Sequence, residues 1–395
     1  MNDQLKSKIN ELIESVYPKS VQIRRTLHQM PELSGAEFET ARFIYSELST
    51  AGFKPAFHLN KNAVITQLHN NQGKTVVLRA DMDALPINEE TGVPFTSKKP
   101  GIMHACGHDI HSAILFGAGM VLNSLKDYWK GKILLIFQPS EEVEPGGAIE
   151  LLNAGAIPTD ANGIFGLHVS TDYTSGTIGI KEGTDYAGVT IFDILINGKG
   201  GHGATPQTTI DPVVCGSSII IALQTLVSRE TSPLTPVTLT VGSFHSGNLR
   251  NIIPDHATFS GTLRCHDPQY HNVLKSRIEQ MVKSIAASFR ANAQITFKDS
   301  YPPNYNDPHL SKRFIKSIKS IADCNIIIRS DPIMYAEDFA YYQQKIPGVY
   351  AHLGVKPKGE NWNGYGIHTS KFNPDEFSIK AGIAAHVAFT LDVLN

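Results

Sequence analysis

The sequence predicts an α/β protein. Its larger domain has a mostly parallel central sheet flanked by helices and spans residues 1–187 and 301–395; a smaller ferredoxin-like domain, residues 188–300, is inserted between the two halves. Three observations carry this expectation. Apolar strands alternate with helical stretches through the first half of the chain, the order that produces parallel pairing. Three of those strands run straight into acids or an imidazole. The segment from Gly188 to Ser300 then reads β-α-β-β-α-β, the ferredoxin-like order. A chain of 395 residues is long enough for a full hydrophobic core in each domain.

The elements follow in order. Leu5, Ile9, Leu12, Ile13 and Val16 recur at helical spacing, so the chain opens on an amphipathic helix. "TVVLRADMDALP" is an apolar strand ending at Asp81 and Asp83, "KILLIFQPSEEVEPGG" ends at Glu141 and Glu142, and "NGIFGLHVS" carries His168 near its end. In open α/β sheets ligands bind at the carboxyl ends of strands, so all three point to one functional edge. In the inserted domain "VTIFDILING" is a strand, and "DPVVCGSSIIIALQTLVSRE" is a helix with Asp211 as its cap and Pro212 in its first turn. "PVTLTVGSFHSG" and "DHATFSGTLRCHD" alternate with period two, "YHNVLKSRIEQMVKSIAASF" is an amphipathic helix, and "AQITFKDSY" is the last strand. Back in the larger domain come helices at "SKRFIKSIKSIA" and "AEDFAYYQQK", a strand at "GVYAHLGV", and a closing helix that Asn373 and Pro374 should start.

Bulk properties narrow the function. A formal charge of -2 gives no electrostatic footprint for nucleic acid or a membrane surface. The apolar run "SSIIIALQTLV" is shorter than the ~18 residues of a membrane span, and the N-terminus lacks the apolar core of a secretory signal. Cysteines at 106, 215, 265 and 324 have no close-spaced framework. A reducing, cytoplasmic setting is therefore expected, with Cys215, Cys265 and Cys324 as small buried hydrophobes.

"GIMHACGHDIHSA" crowds three histidines, a cysteine and an aspartate into eight residues. A thiol nucleophile is one reading, because His104 and His108 flank Cys106; it leaves the glutamates and His168 without a role. A structural zinc knot is another, but such knots draw on close ligand pairs, and the other candidate ligands here are scattered single residues. A catalytic metal centre uses them all. Cys106 and His108 would enter one cavity, with Glu142 and His168 arriving from strand ends. A Glu-Glu pair in a loop is ordinarily solvated. Behind a buried strand, two adjacent carboxylates repel unless a cation neutralises one. With Glu142 on the metal, Glu141 acts as general base.

"LRADMDALP", "MHACGHDIHSA", "QPSEEVEPGGA", "GLHV", "GKGGHGATP", "RNIIPD" with "GTLR", "AEDFA" and "IHTSKF" together resemble, over essentially the whole chain, the aminoacylase and carboxypeptidase family of metallopeptidases. The branch is similar to the amidohydrolases that include hippurate hydrolase, auxin-conjugate hydrolases and N-acetyl-diaminopimelate deacetylase. The resemblance implies hydrolysis of N-acyl amino acids or dipeptides at two divalent ions, zinc or manganese first, with cobalt or nickel able to substitute. One ion would sit on Cys106, Glu142 and His368, the other on Cys106, His108 and His168. Glu141 matches the general base and His202 a histidine that stabilises the oxyanion, commonly delivered from a partner subunit. Asn251 and Arg264 match substrate contacts. The inserted domain is then a lid and the surface of a homodimer. Asp83, His104 and Asp109 are expected to orient ligands, and His111 to pack on the helix that follows. Tyr335 stands where relatives have a smaller residue, so its bulk would narrow the pocket.

Overall fold

A computed structural model describes residues 3–321, 325–329, 331–359, 362 and 364–395; Cys324 falls outside them. The chain divides into two compact units, one of residues 1–183, 305–331 and 338–395, the other of residues 184–304 and 332–337. The division adds a few residues at either end of the expected insert and assigns it a further segment, Pro332–Glu337. That segment hangs on the second unit's backbone: Ile333 N donates to Asp185 O at 2.8 Å and Ala187 N to Tyr335 O at 2.9 Å, while the His266 ring donates to Ile333 O at 2.8 Å.

The first unit is built on an eight-stranded sheet. Its strands are β1 (Ala56–His58), β2 (Ala63–Asn70), β3 (Thr75–Asp81), β4 (Gly131–Gln138), β5 (Gly163–Thr174), β6 (Thr177–Ile180), β15 (Asn325–Ile328) and β16 (Gly348–Lys356). The order is β1-β2-β4-β3-β5-β16-β6-β15. From β4 through β3 and β5 to β16 the pairing is parallel; β1–β2, β2–β4 and β16–β6 are antiparallel, and the edge strand β15 pairs parallel with β6. The central strands are apolar almost without interruption because both faces are covered. Helices α1 (Asp3–Gln29), α3 (His108–Ser124) and α9 (Ser378–Leu394) pack on one another. In α1 the buried stripe of Ile9 and Ile13 resumes beyond the exposed Pro18 at Ile23 and Leu27, so the helix does not stop at the proline. Helix α9 starts later than expected. Asn373 does not cap it; Asp375 N is tied to Val355 O at 2.9 Å and Ser378 N to Asp375 O at 3.1 Å, so the helix begins beyond Asp375.

Register positions the functional edge. Leu78 of β3 pairs with Phe165 of β5, so three residues further along, Asp81 and His168 reach the same level. Asp81 in turn pairs with Gln138 at the end of β4, and the loop after β4 holds Glu141 and Glu142. The remaining helices of this unit are α2 (Phe38–Thr50), α4 (Gly147–Asn153), α7 (Pro308–Ile321) and α8 (Phe339–Gln343).

Two-residue strands β7 (Gly183–Thr184) and β14 (Tyr305–Asn306) lie at the boundaries of the insert. The second unit holds β8 (Gly188–Asn197), β9 (Gly201–His202), β10 (Val237–Ser246), β11 (Ile252–Ile253), β12 (His256–Cys265) and β13 (Asn292–Asp299), with α5 (Pro212–Thr225) and α6 (Pro268–Ser288). Its four-stranded sheet runs β10-β12-β8-β13, antiparallel throughout, the ferredoxin-like arrangement. Asp211 and Asp267 cap the two helices by accepting backbone N–H bonds. By length and apolar content the stretch Pro212–Glu230 would suffice to cross a membrane, contrary to the reading of its sequence. In the fold one face, through Cys215, Ile219 and Leu223, lies in this unit's core, and Val214 and Ile221 face outward, 51% and 72% exposed.

Candidate metal centre

Cys106, His108, Glu142, His168 and His368 lie 262 residues apart at the extremes and converge at the carboxyl edge of the central sheet. Cys106 Sγ is 3.2 Å from His168 Nε2 and 3.2 Å from His368 Nε2. Gly107 follows with φ +86, and its Cβ would strike Val169 at 2.7 Å, so only glycine lets Cys106 and His108 turn into the cavity. The ligand atoms of Cys106, His108 and His168 lie within 4.8 Å of one another, and so do those of Cys106, Glu142 and His368. These are two triads sharing one thiol. His368 takes a left-handed conformation, φ +60, held by its N–H on Ala105 O at 2.8 Å. Such strain in a non-glycine residue persists where the surroundings impose it.

Two of the three imidazoles, those of His168 and His108, are oriented by their other nitrogen. His168 Nδ1 donates to Val169 O at 2.8 Å, and His108 Nδ1 to Asp83 Oδ1 at 3.2 Å, so both rings turn Nε2 towards the cavity. His108 Nε2 is buried with no hydrogen-bond partner among the described residues, and Glu142 Oε1 is buried without a well-directed one, lying 3.3 Å from His368 Nε2. Buried polar atoms left in this state mark a ligand site. Electrostatics agree. Burial works against charge on His108, yet Asp81 and then Asp83 and Glu142 push it up to about 10. Burial, then Glu142 and Glu141, raise the Cys106 thiol, the opposite of what a metal-free thiol nucleophile needs. A thiol, three imidazoles and a carboxylate in a field this negative fit divalent cations.

Other expected residues fall in different places. Asp83 Oδ2 accepts from Glu142 N at 2.9 Å and from Ser34 Oγ at 2.7 Å, so it orients a ligand residue on each oxygen. Asp109 does not face the ligands; it pairs with Arg24 at 2.8 Å and His28 at 2.8 Å. His104 is buried with neither nitrogen hydrogen-bonded among the described residues, and burial pulls it down to about 4. His111 does more than pack. Its Nδ1 donates to Asp81 Oδ1 at 2.6 Å and its Nε2 accepts Val169 N at 3.0 Å, which ties the end of β3 to the residue after His168. Behind it the Arg79 guanidinium joins Asp81 at 2.6 Å to Asp338 at 2.6 Å and to Gln138 at 2.9 Å. Spacing gave no signal for Arg79 or Asp338 beyond a charge inside an apolar strand.

In the second unit His202 and Asn251 meet on the β9–β11 ribbon, with Ile252 opposite His202 and Gly203 N on Asn251 O at 2.9 Å. Ala204 N donates to His202 Nδ1 at 3.1 Å, so the neutral ring carries its proton on Nε2 and can donate outward. Arg264 on β12 bonds Met334 O at 3.3 Å, and burial lowers its pKa. Tyr335 is 64% exposed.

Residues 77–392 match the model of peptidase family M20/M25/M40. The chain belongs to this family. It is 36% identical to thermostable carboxypeptidase 2 of Saccharolobus solfataricus over 100% of this chain and 99% of the relative. It is 39% identical to the N-acetyl-L-cysteine deacetylase of Bacillus subtilis, over 95% and 88%. Among solved structures it is similar to the YXEP protein of Bacillus subtilis, a dinuclear metal binding peptidase from the M20 family, with TM-score 0.85, 31% identity and coverage of 96% and 99%. As a member of family M20 the chain is a hydrolase.

Proposed function

We propose that this M20 hydrolase cleaves the amide bond of N-acyl amino acids or dipeptides. The observation that carries the reading is the pair of triads sharing Cys106, with Glu141 adjacent in sequence to Glu142 and within 4.8 Å of both His108 and Glu142 through their ligand atoms. Cys106, Glu142 and His368 would hold one divalent cation and Cys106, His108 and His168 the other, zinc or manganese first, cobalt or nickel as substitutes. When bound, these ions supply Lewis acidity towards the scissile carbonyl and the attacking water. Glu141, buried at 6% exposure, takes the proton of that water on its carboxylate and returns it to the leaving amine. His202 Nε2–H donates to the tetrahedral oxygen. Asn251 hydrogen-bonds the substrate, and Arg264 clamps its carboxylate with a fork of N–H donors.

The curated deacetylase and carboxypeptidase relatives support this class of substrate. The second unit serves as lid and as the surface of a homodimer, for which the outward Val214 and Ile221 supply apolar area. Cys106, Cys215 and Cys265 are buried and unbridged, in keeping with a cytoplasmic setting. The test is Glu141→Gln, assayed on a panel of N-acyl amino acids beside metal analysis. The expected outcome is full metal content with turnover down by ~10²–10⁴-fold, the range of a lost general base. Unchanged turnover overturns the assignment.

A further inference from the structure

Glu37 precedes α2 and occupies its N-cap position, yet its side chain makes no cap bond there among the described residues. Glu32 does that work instead, its Oε2 accepting the N–H groups of Glu39 and Thr40 at 2.8 Å each. The Glu37 carboxyl turns elsewhere. Its Oε1 accepts the N–H of Ser140 at 2.7 Å and of Gly35 at 3.0 Å, and Oε2 meets Asn62 Nδ2 at 3.3 Å. The group is fully buried, and burial followed by the negative Asp83 raises it to about 7. A carboxyl placed there costs free energy unless the bonds it makes are needed.

Ser140 is where those bonds act. It is a non-glycine residue at φ +56, a conformation that costs ~1–2 kcal/mol for an L-residue. Its left-handed turn ends the run from β4 and aims the next two residues. Gly147 N closes the turn on Ser140 O at 3.0 Å, and on the far side Asp83 accepts the bond from Glu142 N already described. Glu141 therefore lies between two backbone N–H groups, each pinned by a buried carboxyl.

We infer that Glu37 is a positioning residue of the hydrolytic site: by accepting the Ser140 N–H it locks the turn that aims Glu141 and Glu142. The inference rests on the roles proposed above for those two glutamates. A glutamine at 37 keeps the acceptor oxygen; an alanine leaves Ser140 N without it and lets the serine relax out of its left-handed conformation.

The experiment compares Glu37→Gln, Glu37→Ala and Glu37→Ala combined with Ser140→Gly, reading kcat and KM on an N-acyl amino acid, zinc affinity by titration of the metal-free protein, and Tm. Glu37→Gln should stay within ~3-fold of the parent, since the acceptor geometry survives. Glu37→Ala should lose ~100-fold in kcat with KM little changed, the scale of a small misplacement of reacting groups, and ~10-fold in zinc affinity. Glycine at 140 takes φ above zero without strain, so the double variant should regain ~10-fold of kcat while its Tm stays low. The inference is overturned if Glu37→Ala keeps parental kcat and zinc affinity, or if its losses track Tm and glycine restores nothing. Should Glu37→Ala not fold, Ser140→Val carries the test: a β-branched residue cannot hold the turn, and unaltered kcat and zinc affinity would overturn the inference. Zinc titration reads Glu37 without catalysis, whereas an active Glu141→Gln would break the parent reading alone.

Discussion

The two units hold most of their candidate side chains in opposite ways, the exposed His368 being the exception among the first unit's ligands. In the first, His108, Asp83, Asp81, Arg79 and Asp338 are all at most 1% exposed, and each is fixed by another buried charge or dipole. In the second, His202 is exposed and held by the N–H of Ala204, two residues away. A buried charge network is strong only when complete, because removing one member strands the others. A surface side chain steadied by its own turn can be removed with little damage to its surroundings. Of the residues proposed to act in hydrolysis, those of the first unit thus lie in a network that tolerates little substitution, and His202 on a ribbon that tolerates more.

Cys106→Ala should break the first unit's site most completely. An outer partner alone is worth ~10–100-fold in metal affinity, and a thiol shared by both triads touches both ions, so turnover and metal content should fall together by ~10³-fold or more. Metal analysis of the purified variant beside kcat checks this. One ion retained at parental affinity would show that Cys106 is not shared.

Arg79→Met probes the network behind the ligands. It leaves Asp81 and Asp338 without their buried cation, a loss of ~3–5 kcal/mol of stability. Both tryptophans of the chain, Trp129 and Trp362, belong to the first unit, so denaturant unfolding followed by tryptophan fluorescence reads this effect where it arises. A shift below ~1 kcal/mol would place the pair among ordinary surface bridges.

His202→Ala supplies the contrast. Turnover should drop by ~10²–10³-fold, the scale of one oxyanion donor, while metal content and the tryptophan-detected unfolding midpoint stay put. If either moved as far as in Arg79→Met, the distinction between the units would fail.

What the sequence disclosed follows the same divide between local and assembled features. The ferredoxin-like order, the capping by Asp211 and the closeness of Cys106 to His108 are local patterns, and the fold contains them all. Glu142 was readable because an apolar strand led into it. His368 was accessible only through family resemblance, since 262 residues separate it from Cys106 and nothing nearby marks it. Arg79 and Asp338 lie 259 positions apart, and Glu37 reaches Ser140 across 103; no periodicity encodes a contact made by folding. The expected cap at Asn373 failed for a related reason. The tertiary bond from Asp375 N to Val355 O of β16 outweighs the local preference of Asn-Pro to start a helix.

The smallest effect concerns acid stability and separates the first unit's buried imidazoles from the exposed His202. His386 on α9 is 1% exposed, its ring set edge-on to Phe165 at 4.9 Å, with Nδ1 unbonded among the described residues. Burial, and then His111, pull it down to about 3. Below the unfolded value of ~6.5 the unfolded chain takes up a proton that the folded ring refuses, so folding weakens as pH falls from about 6.5 towards 3. Between pH 7 and 5 this one ring should cost about 2 kcal/mol of unfolding free energy, at ~1.4 kcal/mol for each pH unit below the unfolded pKa. His386→Leu removes the proton site while keeping an apolar side chain against Phe165, so its stability should fall less steeply over that range, by that same amount. Parallel curves for the two proteins would mean that the folded ring is protonated as readily as a free one. The buried first unit would then be less closed to charge than its packing implies.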